Sequence, residues 1–200
     1  IYLSEKEERE AVETITELIE YYKGIFTILS SCAARQLEEV TFRRTTIPVQ
    51  ELFDAAGKYF RKVMKNRMEK IELIMEPMEA KVIGDVNQLR FLFENLIDEA
   101  LVVHEEGVIR LQARKDNEYV RFLFTDTRRE KSVTELNQLF YPNLARMTSG
   151  EKGELRGTEY LICKQIIRDH DEFAGRRGCR INAEPAEGGG FTVYFTIPRR

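Results

Sequence analysis

Between Asp85 and Thr125 the apolar residues change period once, and that change restricts the chain to folds in which a helix is laid on a sheet. Behind the capping residue Asp85, Leu89, Leu92, Phe93, Leu96, Ile97 and Ala100 recur at steps of three and four, which predicts a helix to about His104. From Gly107 to Lys115 and from Tyr119 to Thr125 the period falls to two, and Asp116-Asn117 stands between the runs as a turn. A helix buries one stripe and a hairpin one face, so the two need each other.

The flanking segments carry the same signals. The β-branched stretch Phe42 to Pro48 predicts a short strand feeding a helix over Val49 to Met68, with Leu52, Ala56, Tyr59, Phe60 and Val63 inward. Ile71 to Met75 and Lys81 to Ile83 read as strands around a turn at Glu76-Pro77. A last helix is expected over Thr158 to His170. A closing hairpin, Cys179 to Glu184 and Gly190 to Pro198, is expected across the glycines 188–190. The polar stretch Asp126 to Leu155 has one helical pattern, around Ser132 to Phe140, and a loop of that length in a compact domain is usually functional or mobile.

Ahead of all this, Ser4 and Glu7 form a capping box, after which Val12, Ile15, Ile19, Tyr22, Phe26, Leu29 and Ala33 recur as a heptad seam. Such a seam on a helix of roughly 35 residues needs a partner helix, in the same chain or in a second copy. Gly24 and Ser30-Ser31 weaken this helix locally. The pattern sets the expected division at 1–42, a long dimerisation-type helix, and 43–200, a globular domain.

Charge and cysteine usage narrow the function classes. The 31 basic and 34 acidic residues are intermixed, which leaves no electrostatic footprint for nucleic acid. Cys32, Cys163 and Cys179 are widely spaced and His104 and His170 lie far apart, so neither a zinc site nor a disulfide framework is expected. Buried thiols in a reducing, cytoplasmic setting are. No apolar run reaches the roughly 20 residues that span a bilayer, so no membrane contact is expected of this stretch. A start at Ile1, almost inside a helix, reads as a piece of a longer protein with any anchor or sensor upstream.

Three stretches in order carry a resemblance: GDVNQLRFLFENLIDEAL from Gly84, FTDT from Phe124, and GTEYLICKQIIRDH from Gly157 followed by Glu184-Pro185 and Gly189-Gly190-Phe191-Thr192. Over roughly Thr45 to Pro198 the chain resembles the ATPase domain of sensor histidine kinases, the Bergerat fold shared with gyrase-type and chaperone-type ATPases. The resemblance implies an α+β, two-layer sandwich, with a mixed five-stranded sheet backed by three helices and preceded by a long helix. That helix resembles the second helix of a dimerisation-and-phosphotransfer hairpin, whose first helix and phosphorylated histidine would lie upstream.

The resemblance also implies ATP and magnesium, and it places their contacts. Asn95 stands at the first position of the helix box N-x-x-x-N, and Glu99 replaces the second asparagine, which normally holds magnesium; a carboxylate can ligate that ion through oxygen. The basic residue expected next is Val102, with His104 close by. Asp126 fits the carboxylate that accepts a hydrogen bond from the adenine amino group, yet the two glycines after it are Arg128 and Glu130. Side chains there are expected to obstruct the adenine pocket or reshape the loop; a solvated charged loop with Asp126 capping a turn is the plainer alternative. Of the phosphate-cradling glycine loop, Gly157 remains and Glu159 replaces the next glycine, while Glu151 and Glu154 bring negative charge toward phosphate, partly offset by Lys152 and Arg156. His170 matches a non-catalytic histidine at the helix end. These replacements predict a degenerate histidine-kinase-like ATPase domain in two-component-type signalling, with weak or no ATP binding. The alternative is an active, divergent kinase whose acceptor histidine lies upstream. Expected partners are a second copy through the N-terminal helix and a response regulator or other signalling protein.

Overall fold

The computed structural model describes the backbone of residues 4–37, 42–141, 148–149 and 155–200, and their side chains apart from 20, 21, 24, 25, 27–37, 148, 149, 155 and 156. The chain divides into two compact units, one of Phe42–Tyr141 and Glu159–Arg200, the other of Ile1–Thr41 and Pro142–Thr158.

In the larger unit, β1 (Thr45–Pro48) ends at the proline that opens α2 (Val49–Met64), and β2 (Ile71–Glu76) and β3 (Lys81–Gly84) follow. Next come α3 (Val86–Ala100), the hairpin β4 (Gly107–Asp116) and β5 (Tyr119–Asp126), and the short α4 (Val133–Asn137). α5 (Glu159–Phe173) leads to the closing hairpin of β8 (Ile181–Pro185) and β9 (Phe191–Pro198). Helix α3 stops at Ala100, earlier than the expected His104: Leu101 leaves the helical region while its N–H still bonds Ile97 O. Helix α2 likewise ends before the expected Met68.

The five-stranded sheet has the order β2-β4-β5-β9-β8, with β2 parallel to β4 and every other pair antiparallel. Strands β1 and β3 pair separately, Thr45 opposite Gly84 and Pro48 opposite Lys81. This is the expected mixed five-stranded sheet. Period-two alternation turns Ile109, Leu111, Val120, Phe122, Val193 and Phe195 to one face, where all are buried. Helices α2, α3 and α5 cover that face. At its centre Phe122 and Phe195 stack 5.0 Å apart, and Phe93 meets them at 5.7 and 5.6 Å, so one aromatic cluster joins α3 to the two central strands.

The smaller unit holds α1 (Glu5–Leu37) and two short paired strands, β6 (Thr148–Ser149) and β7 (Leu155–Arg156), which sequence periodicity did not indicate. α1 opens on the expected capping box, in which Ser4 and Glu7 bond each other reciprocally. Of the heptad seam, Val12, Ile15, Ile19, Tyr22 and Phe26 are exposed. The expectations for Gly24, Leu29, Ser30-Ser31, Cys32 and Ala33 fall outside the described side chains. Those for Glu151, Lys152 and Glu154 fall outside the described residues.

Candidate functional site

Asp126 ends β5, opposite Ile109 on β4 and Phe191 on β9. The strand end is fixed from both sides. Thr127 donates from both its N–H and its hydroxyl to Val108 O, and the hydroxyls of Thr125 and Thr192 share a 2.8 Å hydrogen bond. Gly190, at φ +82°, brings the closing hairpin so near that a Cβ there would lie 2.1 Å from Asp126 O.

The Asp126 carboxylate is fully engaged within the protein. Its Oδ1 accepts from Arg128 N at 3.0 Å and Arg128 Nε at 2.9 Å, and its Oδ2 from Arg128 Nη2 at 2.9 Å and Arg129 Nε at 3.1 Å. An ionised carboxylate offers about four acceptor directions, and these four donors take them. Both the Asp126 and the Arg128 side chains are only 1% exposed. The Arg128 guanidinium goes on to Glu105 O at 3.0 Å and to Ala100 O, one of the carbonyls that α3 leaves without an intrahelical partner at its C-terminus. Arg129 donates to Glu99 O at 3.4 Å and lies over the Phe191 ring at 5.6 Å, with Lys131 Nζ 5.4 Å from the same ring.

This corrects the plainer expectation of a solvated charged loop. Asp126 does cap a turn, through Arg128 N, but Arg128 faces inward. A guanidinium makes five N–H bonds available in a planar fork, and burial of so much charge is tolerable only when nearly all are used, as here. The inward turn was hard to see in sequence. The available signal was the spacing, a carboxylate with arginines two and three residues on at a strand end.

The remaining expected residues lie elsewhere along the chain. Asn95 is buried on α3 and its amide donates back to Phe91 O at 2.7 Å. Glu99, one turn on, is partly exposed. Tyr160, in the first turn of α5, is buried edge-on against Phe140; burial, and after it the charge of Glu99, holds its hydroxyl well above the usual phenol range. Cys163, a turn further, is fully buried with its thiol toward Leu92 O, and desolvation raises its pKa. Cys179 is buried too, and desolvation pushes its thiol up to about 12. Gly157 takes φ +90° two residues before α5. Val102 is exposed. His104 turns to Glu69 and Arg67 ahead of β2, where its hydrogen bond lowers the Glu69 pKa. Among the described residues no group of three His, Cys, Asp or Glu side chains converges as a metal site would.

Residues 84–200 match the family model described as histidine kinase-, DNA gyrase B-, and HSP90-like ATPase. The chain belongs to this family. As a member of it, the chain carries an ATPase-type domain of the kind that binds ATP, usually with magnesium. Solved structures agree in fold. A mycobacterial sensor histidine kinase, MprB, is similar at TM-score 0.58 and 18% identity, over 79% of this chain and 99% of that one. Acinetobacter baumannii histidine kinase AdeS is similar at TM-score 0.60 and 12% identity, over 99% and 86%. Histidine kinase ThkA, solved with its response regulator TrrA, is similar at TM-score 0.61 and 19% identity, over 94% of this chain and 52% of that one. A search of curated proteins found no match by sequence.

Proposed function

We propose that this histidine-kinase-like ATPase domain acts in two-component-type signalling as a conformational or docking module with weak or no ATP binding. One observation carries the reading. The carboxylate at the adenine-reading position already accepts four hydrogen bonds from Arg128 and Arg129 and is 1% exposed. An adenine amino group has no acceptor direction left on Asp126. Opening one would break a buried ion pair, at a cost of about 3–5 kcal/mol, comparable to a millimolar affinity. The residues present therefore do not fit the adenine of ATP.

Signalling rather than metabolism is supported by the solved relatives, which are sensor kinases. The exposed apolar seam of α1 supports homodimerisation through that helix, and a response regulator or another signalling protein is the proposed partner. No helix among the described residues is long and apolar enough to cross a membrane.

A second reading, an active divergent kinase with its acceptor histidine elsewhere, is favoured by Asn95 and Glu99 lying one turn apart on α3. In it these two hold magnesium, Asp126 holds adenine and Gly157 lies at phosphate. Thermal melting with and without millimolar Mg-ATP separates the two, because a ligand bound only by the folded state raises the midpoint. We expect no shift. A rise of about 4 °C or more, the mark of a site filled well above its Kd, overturns the weak-binding reading and favours the kinase one.

A further inference from the structure

The same loop that closes the adenine position also ties together the turn after β5, the head of β4 and the end of α3. Arg128 starts from the turn after β5, passes Gly107 at the head of β4, and ends on Ala100 O at the close of α3 and Glu105 O in the connection that follows. Gly107 sits at φ +140°, and a Cβ there would come 2.8 Å from Arg128 Cγ, so the strand head is bare where the side chain crosses. Asp126 supplies the counter-charge at the near end of the guanidinium, and the two backbone carbonyls hold the far end. Arg129 adds a parallel strut to Glu99 O, one residue earlier on the same helix.

A bound molecule would hold the strand end and the helix end together by hydrogen bonds to both. We infer that Arg128 is a built-in ligand: its guanidinium bridges Asp126 to the C-terminus of α3 and the 101–106 connection, fixing them without nucleotide. This rests on the reading that the adenine position is closed, and it adds that the closure is mechanical support rather than loss alone. A relay domain made this way holds one conformation whatever the nucleotide level, so its state is set by whatever acts on the rest of the protein.

The experiment uses the whole chain without nucleotide. In Arg128→Ala only Cβ remains of the side chain, and ethylguanidinium supplies the missing Cγ, Cδ and guanidinium. We expect the variant to melt about 10 °C below wild type. Amide exchange at residues 101–107 should accelerate at least about tenfold more than exchange in α2. Ethylguanidinium at about 10 mM should restore both, ethylammonium should restore neither, and neither should move wild type. Arg128→Lys, which keeps the charge but not the fork, should fall between, and it carries the exchange test if the alanine variant does not fold. Melting of Arg128→Ala within about 2 °C of wild type, or equal action of the two additives, overturns the inference. A Mg-ATP shift in wild type would instead remove the closed-cleft reading beneath it, so the two failures are distinct.

Discussion

His170 shows how a residue resembling a familiar family position acquires its role from burial. Its ring is fully buried at the end of α5, edge-on to Phe42 at 4.9 Å. Nε2 accepts from Asp85 N at 3.1 Å and Nδ1–H donates to Ile166 O at 2.8 Å, so the neutral ring completes both bonds and a second proton would remove the acceptor. Burial lowers its pKa, with the Ile166 carbonyl and the charges of Asp85 and Asp169 opposing. The unfolded chain, with an ordinary imidazole near 6.5, takes up a proton that the folded state refuses. The His170 contribution is therefore complete above about pH 6.5 and declines as pH falls below it, by at most about 1.4 kcal/mol per unit, until the folded pKa is passed. Urea denaturation at pH 7.5 and 5.5 should show a smaller acid loss in His170→Gln than in wild type. Identical losses in the two would contradict this account.

At the scale of the element, α3 is the helix on which the candidate site and the core both depend, and its two ends are held by different chemistry. At the N-terminus Asp85 accepts from Asn87 N at 3.0 Å and Gln88 N at 3.1 Å through Oδ1, and from Arg43 N at 2.9 Å through Oδ2. Asp85→Ala should lose about 2 kcal/mol, the upper range for a cap, because a third donor outside the helix is also released. Asp85→Asn should retain most of it. Chemical denaturation of both variants checks this, and equal stability of the alanine and wild-type chains would show that the cap is dispensable. The cap was legible in sequence because it is local: an Asp just before an apolar stripe of helical period. The C-terminal support was not, because Arg128 lies 28 residues beyond Ala100 and reaches it only when the β4–β5 hairpin folds back.

For the molecule as a whole, the exposed seam of α1 sets the expected assembly. Ile15 is 56% and Phe26 72% exposed on a helix that also presents Glu10, Glu13 and Lys23 to water. Covering such a stripe in a homodimer removes apolar surface from water at roughly 25 cal/mol per Å². Sedimentation of the whole chain should show a concentration-dependent dimer, weakened about tenfold or more by Ile15→Lys with Ile19→Lys. A wild-type chain that stays monomeric at high concentration removes α1 as the dimer helix.

Sequence alone determined what depends on near neighbours and on periodicity. The mixed α+β architecture, the capped helices, the β4–β5 hairpin and the family boxes were readable because a helical stripe, an alternating strand and a glycine turn each announce themselves within a few residues. Asn95, Glu99, Asp126 and Gly157 could be named only because the stretches that hold them resemble the family's boxes. Tertiary structure decided what Asp126 does. A run of charges such as Arg128-Arg129-Glu130-Lys131 has no period to show which member faces inward. The choice is made where β5, β4 and the end of α3 converge and leave a buried carboxylate and unpaired carbonyls that Arg128 can satisfy together.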